Sequence, residues 1–163
     1  MRISIAAIGR LKAGPERELY QRYAERVDGA GRAVAIGPLK LIELPESRAA
    51  SAIARMGDEA ARLIAKCDAS TGSAARIALD EGGKSMTSTA FAHMLAAHRD
   101  AGISELSFLI GGADGHGKAA KDASATRLSL GAMTLPHGLA RIVLVEQLYR
   151  SITIISGHPY HRA

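Results

Sequence analysis

The chain has 163 residues, of which 47% are apolar and 23% charged, and its net charge is +5. That length fits one domain with a real core, and no uncharged apolar run approaches the ~20 residues needed to span a bilayer. A single cysteine, Cys67, excludes an intrachain disulfide and suits a reducing cytosol. The 4% aromatics and absence of Trp argue against a surface that stacks several bases on rings.

Residues 2–8 are apolar and β-branched and read as a first strand, not as a signal peptide. A helix is predicted over 15–27. Pro15 suits its first turn, Glu16 and Glu18 favour its positive end, and Gly29 ends it. Leu19, Tyr23 and Val27 are expected on its inner face. A second strand falls within 33–44, interrupted by Gly37-Pro38 and stopped by Pro45. A longer helix follows over 48–66, with Ile53, Met56, Ala60, Leu63 and Ile64 facing inward and Cys67 as a small half-buried residue.

A third strand over 75–79 ends in the acidic, glycine-rich turn Asp80-Glu81-Gly82-Gly83. A helix over 88–99 carries His93 and His98, both read as structural. A strand over 106–110 enters a glycine loop, a short helix spans 118–123, and a fifth strand spans 127–130. The last helix covers 137–152, with Leu139, Ile142, Val143 and Leu148 inward. This βα alternation predicts an α/β fold, one domain over 1–163, with a parallel sheet and helices on both faces. Ligands then sit at the carboxyl ends of strands, here Leu79-Asp80, Ile110-Gly111-Gly112 and Leu130-Gly131.

The loop Gly112 to Lys118 reads G-A-D-G-H-G-K, the spacing of a phosphate-binding P-loop. A P-loop needs Ser or Thr next, to hold Mg²⁺, and Ala119 stands there. Too little chain follows for a nucleotide-hydrolase core. The loop is otherwise a plain strand-to-helix turn, or a pocket for a ligand bearing a carboxylate or phosphate. The positive charge favours a polyanionic partner, met through charge and shape.

The segments LIGGADG, LSLGAMTLPHGLARIVLVEQLYR and HPYHR resemble the RlmH family of ribosomal RNA large-subunit methyltransferases, a branch of the SPOUT class. AAIGRLK, ELYQRYAERV and LDEGGKSMTSTAFA are similar to the same family, so the likeness covers nearly the whole chain. The resemblance implies a SPOUT-type sheet whose C-terminal segment forms a deep trefoil knot, a rare exception to ordinary topology. It implies a cytoplasmic homodimer, with no metal and no membrane association. It implies S-adenosylmethionine as cofactor and methylation of N3 of a pseudouridine in 23S rRNA on the assembled ribosome. Carried over, the cofactor contacts fall on Leu79, Gly111 and the run Leu130, Gly131, Ala132, Met133, Thr134 and Leu135. A non-catalytic ribosome-associated protein is the remaining alternative, and the intact LGAMTLPH and HPYHR segments speak against it.

Methyl transfer from a sulfonium needs alignment above all, and a pyrimidine N3 must lose its proton before it attacks. His137, His158 and His161 are candidates to take that proton. Arg150 and Arg162 can hold phosphate or favour the developing anion, and Tyr160 can stack on the target base. Asp114 resembles the acidic residue of its loop, whereas His116 and Lys118 receive no role. One protomer is expected to hold the cofactor while the other's tail covers it. Ile142, Val145 and Leu148 either form the dimer interface or lie inside one protomer.

Overall fold

The computed structural model describes residues 1–67 and 72–161. Five strands alternate with helices: β1 (Arg2–Ile8), α1 (Pro15–Gly31), β2 (Leu39–Leu44), α2 (Ala52–Cys67), β3 (Ala74–Ser85), α3 (Ser88–Asp100), β4 (Glu105–Ile110), α4 (Lys118–Asp122), β5 (Thr126–Ser129) and α5 (His137–Ser156). The strands form one sheet in the order β2-β1-β4-β3-β5, and every pairing is parallel. This bears out the α/β expectation.

Strand periodicity divides the core. Ile3, Ile5 and Ala7 of β1 and Leu106, Phe108 and Ile110 of β4 join the large cluster completed by α1, α3 and α5. Ala6, Ile8 and Leu109 point the other way, toward Leu63 and Cys67 of α2. On that second face the paired residues Ser4 and Ser107 share a buried hydroxyl hydrogen bond of 2.7 Å.

Several expectations need correction. Helix α1 runs through Gly29 to Gly31, and its inner face is Tyr20, Val27 and Gly31, with Leu19 exposed. The 3.6-residue period turns Leu19 aside, because strict fourfold spacing drifts around a helix. Helix α2 starts at Ala52 and leaves Ile53 80% exposed, while α5 reaches Ser156 and leaves Leu139 42% exposed. Cys67 is fully buried, and burial raises its thiol pKa. Ile142, Val145 and Leu148 sit in the protomer's own core, so they form no dimer interface.

The acidic glycine turn is not a turn. Strand β3 continues through it to Ser85, with a bulge that sets both Leu79 and Lys84 against Leu128 of β5. Gly83 is needed there for closeness. A Cβ on it would lie 2.7 Å from the Arg127 carbonyl carbon.

Candidate active site

The carboxyl ends of β3, β4 and β5 and the start of α5 enclose a cleft of about 710 Å³. Leu79, Gly111, Leu130, Gly131, Met133, Thr134 and Leu135 line it, and so does His137. Ala132 is exposed in the same loop but is not part of the wall. Gly131 has φ +144°, and a Cβ added there would meet nothing within 4 Å, so the space above it is open. Met133 stands 81% exposed at the mouth. The Thr134 hydroxyl donates to Glu81 at 3.0 Å and ties this loop to the β3 bulge.

Acidic groups border the cleft. Asp80 meets the Lys121 ammonium at 2.7 Å and the Arg127 guanidinium at 3.7 Å. Burial pushes the Asp80 carboxyl up, but Lys121, the Gly82 N–H and Arg127 together outweigh it and hold its pKa below the ordinary value. Asp114 pairs with Arg55 of α2 at 2.7 Å, and that hydrogen bond keeps its carboxyl ionised.

The glycine loop folds on itself and on α2. A Cβ at Gly111 would strike the Gly115 backbone at 2.8 Å, and one at Gly112 would strike the Glu59 carboxylate at 2.8 Å. These glycines therefore serve the loop's own packing, not only a ligand's approach. His116 turns inward, its Nε2–H donating to the Leu109 carbonyl at 3.0 Å, and burial lowers its pKa. Lys118 pairs with Asp122 at 2.5 Å on the exposed side of a five-residue helix. The P-loop spacing thus builds no phosphate cradle here.

The tail lies elsewhere. Helix α5 closes at Gly157, and the His158 N–H donates to the Thr153 carbonyl at 2.9 Å. The chain then doubles back along the helix. The Tyr160 hydroxyl donates to Glu146 at 3.1 Å, and its ring meets Tyr149 edge-on at 4.8 Å. Arg150 donates to the same Glu146 oxygen at 2.6 and 3.1 Å, and its guanidinium lies 5.0 Å from the Tyr160 ring centre. His158 Nδ1 accepts from the Tyr160 N–H at 3.2 Å. Burial, then Tyr23 and Glu146, push the Tyr160 phenol well above its ordinary pKa, so it remains a donor near neutrality. His161 Nδ1 is buried without a hydrogen-bond partner among the described residues. Arg162 lies outside the described residues.

The candidate residues therefore form two groups. His137 joins the cofactor run at the start of α5, while Arg150 and Tyr160 meet at Glu146, midway along it, with His158 and His161 on the tail that flanks them. Along the helix Glu146 and Arg150 lie 9 and 13 residues beyond His137, about 14 and 20 Å at the rise of an α-helix. Sequence reasoning passed over Glu146, which organises the second group. Its i, i+4 spacing to Arg150 was the available signal.

A family model described as "Predicted SPOUT methyltransferase" matches residues 1–161. The ribosomal RNA large subunit methyltransferase H of Xanthobacter autotrophicus is 48% identical over 163 residues, all of both chains. The protein of the same name from Mesorhizobium japonicum is 50% identical, again over all of both. The crystal structure of the SpoU methyltransferase AviRb from Streptomyces viridochromogenes, in complex with its cofactor AdoMet, matches with a TM-score of 0.43 and 15% identity. That match covers 91% of this chain and 57% of the other. With a family match from residue 1 to 161 and near-half identity to full-length relatives, the chain belongs to the SPOUT methyltransferase family.

Proposed function

We propose that the protein transfers a methyl group from S-adenosylmethionine to N3 of a pseudouridine in 23S rRNA on the assembled ribosome. The observation that carries this reading is one cleft at the strand ends that gathers Leu79, Gly111, the 130–135 loop and His137. The cofactor suits that wall. It is a flat ring with a cationic sulfonium and ammonium, and the wall offers apolar Leu130, Met133 and Leu135 beside the carboxylates of Glu81 and Asp114. The open space over Gly131 leaves room for the ring. When bound, it supplies an activated methyl group.

The chain's own groups do the rest. The 130–135 loop and Leu79 enclose the donor and exclude water. Two histidines line the cleft; His116 is turned onto the Leu109 carbonyl, so His137 is our candidate to accept the N3 proton. Arg150, always cationic, favours the anion left behind. Tyr160, kept protonated, donates a hydrogen bond and does not act as a base. Because the Glu146 cluster lies about 14 to 20 Å along α5 from His137 and its residues do not line the cleft, we read the active form as a homodimer in which one copy's tail closes the other's cleft. Such a composite site accords with a knotted C-terminal segment and a cytoplasmic, ribosome-bound role.

The test is transfer of labelled methyl from S-adenosylmethionine to whole ribosomes, large subunits and naked 23S rRNA, all from cells lacking this protein. Label in 23S rRNA from whole ribosomes only is the expected result. Label in another RNA keeps the chemistry and discards the target. No label in any RNA despite cofactor binding overturns the reading.

A further inference from the structure

Residues 9–14, between β1 and α1, form a loop that the chemistry above leaves unused. Buried groups hold it tightly. Leu11 is in the core, its N–H donates to Glu43 at 2.7 Å, and its carbonyl accepts from Arg17 at 2.6 Å. Arg141, wholly buried, donates to the Ile8 and Gly9 carbonyls at 2.7 and 2.9 Å and to Glu43 at 3.0 Å. The loop is pressed against the first turn of α5. A Cβ at Gly9 would come within 3.0 Å of the His137 ring, and Leu11 lies 3.5 Å from where a Cβ at Gly138 would be.

The loop therefore borders the cleft wall at His137. With Leu11 anchored inward, its neighbours Arg10 and Lys12 are exposed, and neither has an ion-pair or hydrogen-bond partner among the described residues. Glu43 is already engaged by Arg141 and the Leu11 N–H, and Glu46 approaches Gly9 without pairing with either cation. Two unpaired cations on a rigid backbone suit a polyanion. Arg can grip a phosphate with two parallel bonds, Lys adds a point charge, and a fixed loop loses little entropy on contact.

We propose that Arg10 and Lys12 clamp RNA phosphates beside the nucleotide that enters the cleft. The inference rests on the rRNA methyltransferase reading above. The test measures methyl transfer to unmodified ribosomes across a salt series, for wild type, Arg10→Ala/Lys12→Ala, Arg10→Lys/Lys12→Arg and Lys66→Ala. Lys66 is exposed at the far end of α2 and serves as the control.

The alanine pair should raise KM for ribosomes by about tenfold and flatten the plot of log KM against log salt by one to about two units. Its kcat and its affinity for S-adenosylmethionine should stay near wild type. The charge-swapped pair should restore most of the loss, and Lys66→Ala should change nothing. An active wild type whose KM and salt slope match those of the alanine pair overturns the clamp alone. A wild type that methylates no ribosomal RNA overturns the functional reading and the clamp with it.

Discussion

The start of α5 and the cluster around Glu146, midway along it, are built in opposite ways. At His137 the cleft is shaped largely by main chain. Glycine-rich loops from three strand ends meet there, and few side chains reach inward from afar. Around Glu146 the structure is made by side chains. One carboxylate, Glu146, collects Arg150 and Tyr160 while Tyr149 supports the ring. In the proposed dimer each of these regions is half of a site. The sharpest way to break this comparison is complementation. Gly131→Val forces a branched side chain into a φ +144° position facing the cleft. Tyr160→Ala removes the tail's anchor. Each variant alone should lose ~10²-fold or more in methyl transfer. Mixed and re-equilibrated, they should recover about a quarter of wild-type activity, since half the dimers are hybrids with one intact site. Verified hybrids that stay inactive would place both halves of the site in one chain.

The two regions should also differ in what they contribute to stability. Arg141 lies in the first half of α5 with no exposed surface, bonded to Glu43 and two carbonyls. Arg141→Met strands those acceptors and should cost about 3–5 kcal/mol in denaturant unfolding. Glu146→Gln, midway along the helix, removes a partly exposed ion pair and should cost under ~1 kcal/mol. Its kcat should nevertheless fall by ~10-fold or more with cofactor affinity unchanged. Equal stability losses at the two sites would erase the distinction.

This contrast explains what the sequence could reveal. The βα order and the cleft's loops were legible because strand runs, glycine and Pro136-His137 signal locally. The bulge in β3 was not, because Gly82-Gly83 spells a turn unless β5 lies alongside, and only the folded sheet puts Arg127 against Gly83. The tail cluster was half legible. Tyr160 and Arg150 stood out as chemistry, but Glu146 acquires its role by touching a residue 14 positions away. Leu19 and Leu139 misled because apolar residues need not face inward when a neighbour fits the groove better.

A smaller effect tests how the cleft's glycine loop is held. Burial keeps the folded pKa of His116 below its ordinary value of 6.5. As pH falls, the unfolded chain therefore takes up this proton before the folded one. The stability His116 contributes is present above the unfolded value and is lost as pH drops below it. Between about pH 7.5 and 5.5 the wild-type unfolding midpoint should fall more than that of His116→Asn, which cannot titrate. Identical falls would mean that the ring leaves its site on the Leu109 carbonyl in solution.

The smallest effect concerns Ile53, 80% exposed on α2. If that exposure describes the working protein, Ile53→Ser should leave unfolding free energy within about 0.5 kcal/mol and activity unchanged. Scattered exposed apolar residues are ordinary on a globular surface, so the chain has no need to cover this one. A loss that grows as protein is diluted would instead show that a second chain covers α2. The dimer contact would then run along the face opposite α5, and one copy's tail would no longer be placed to reach the other's cleft.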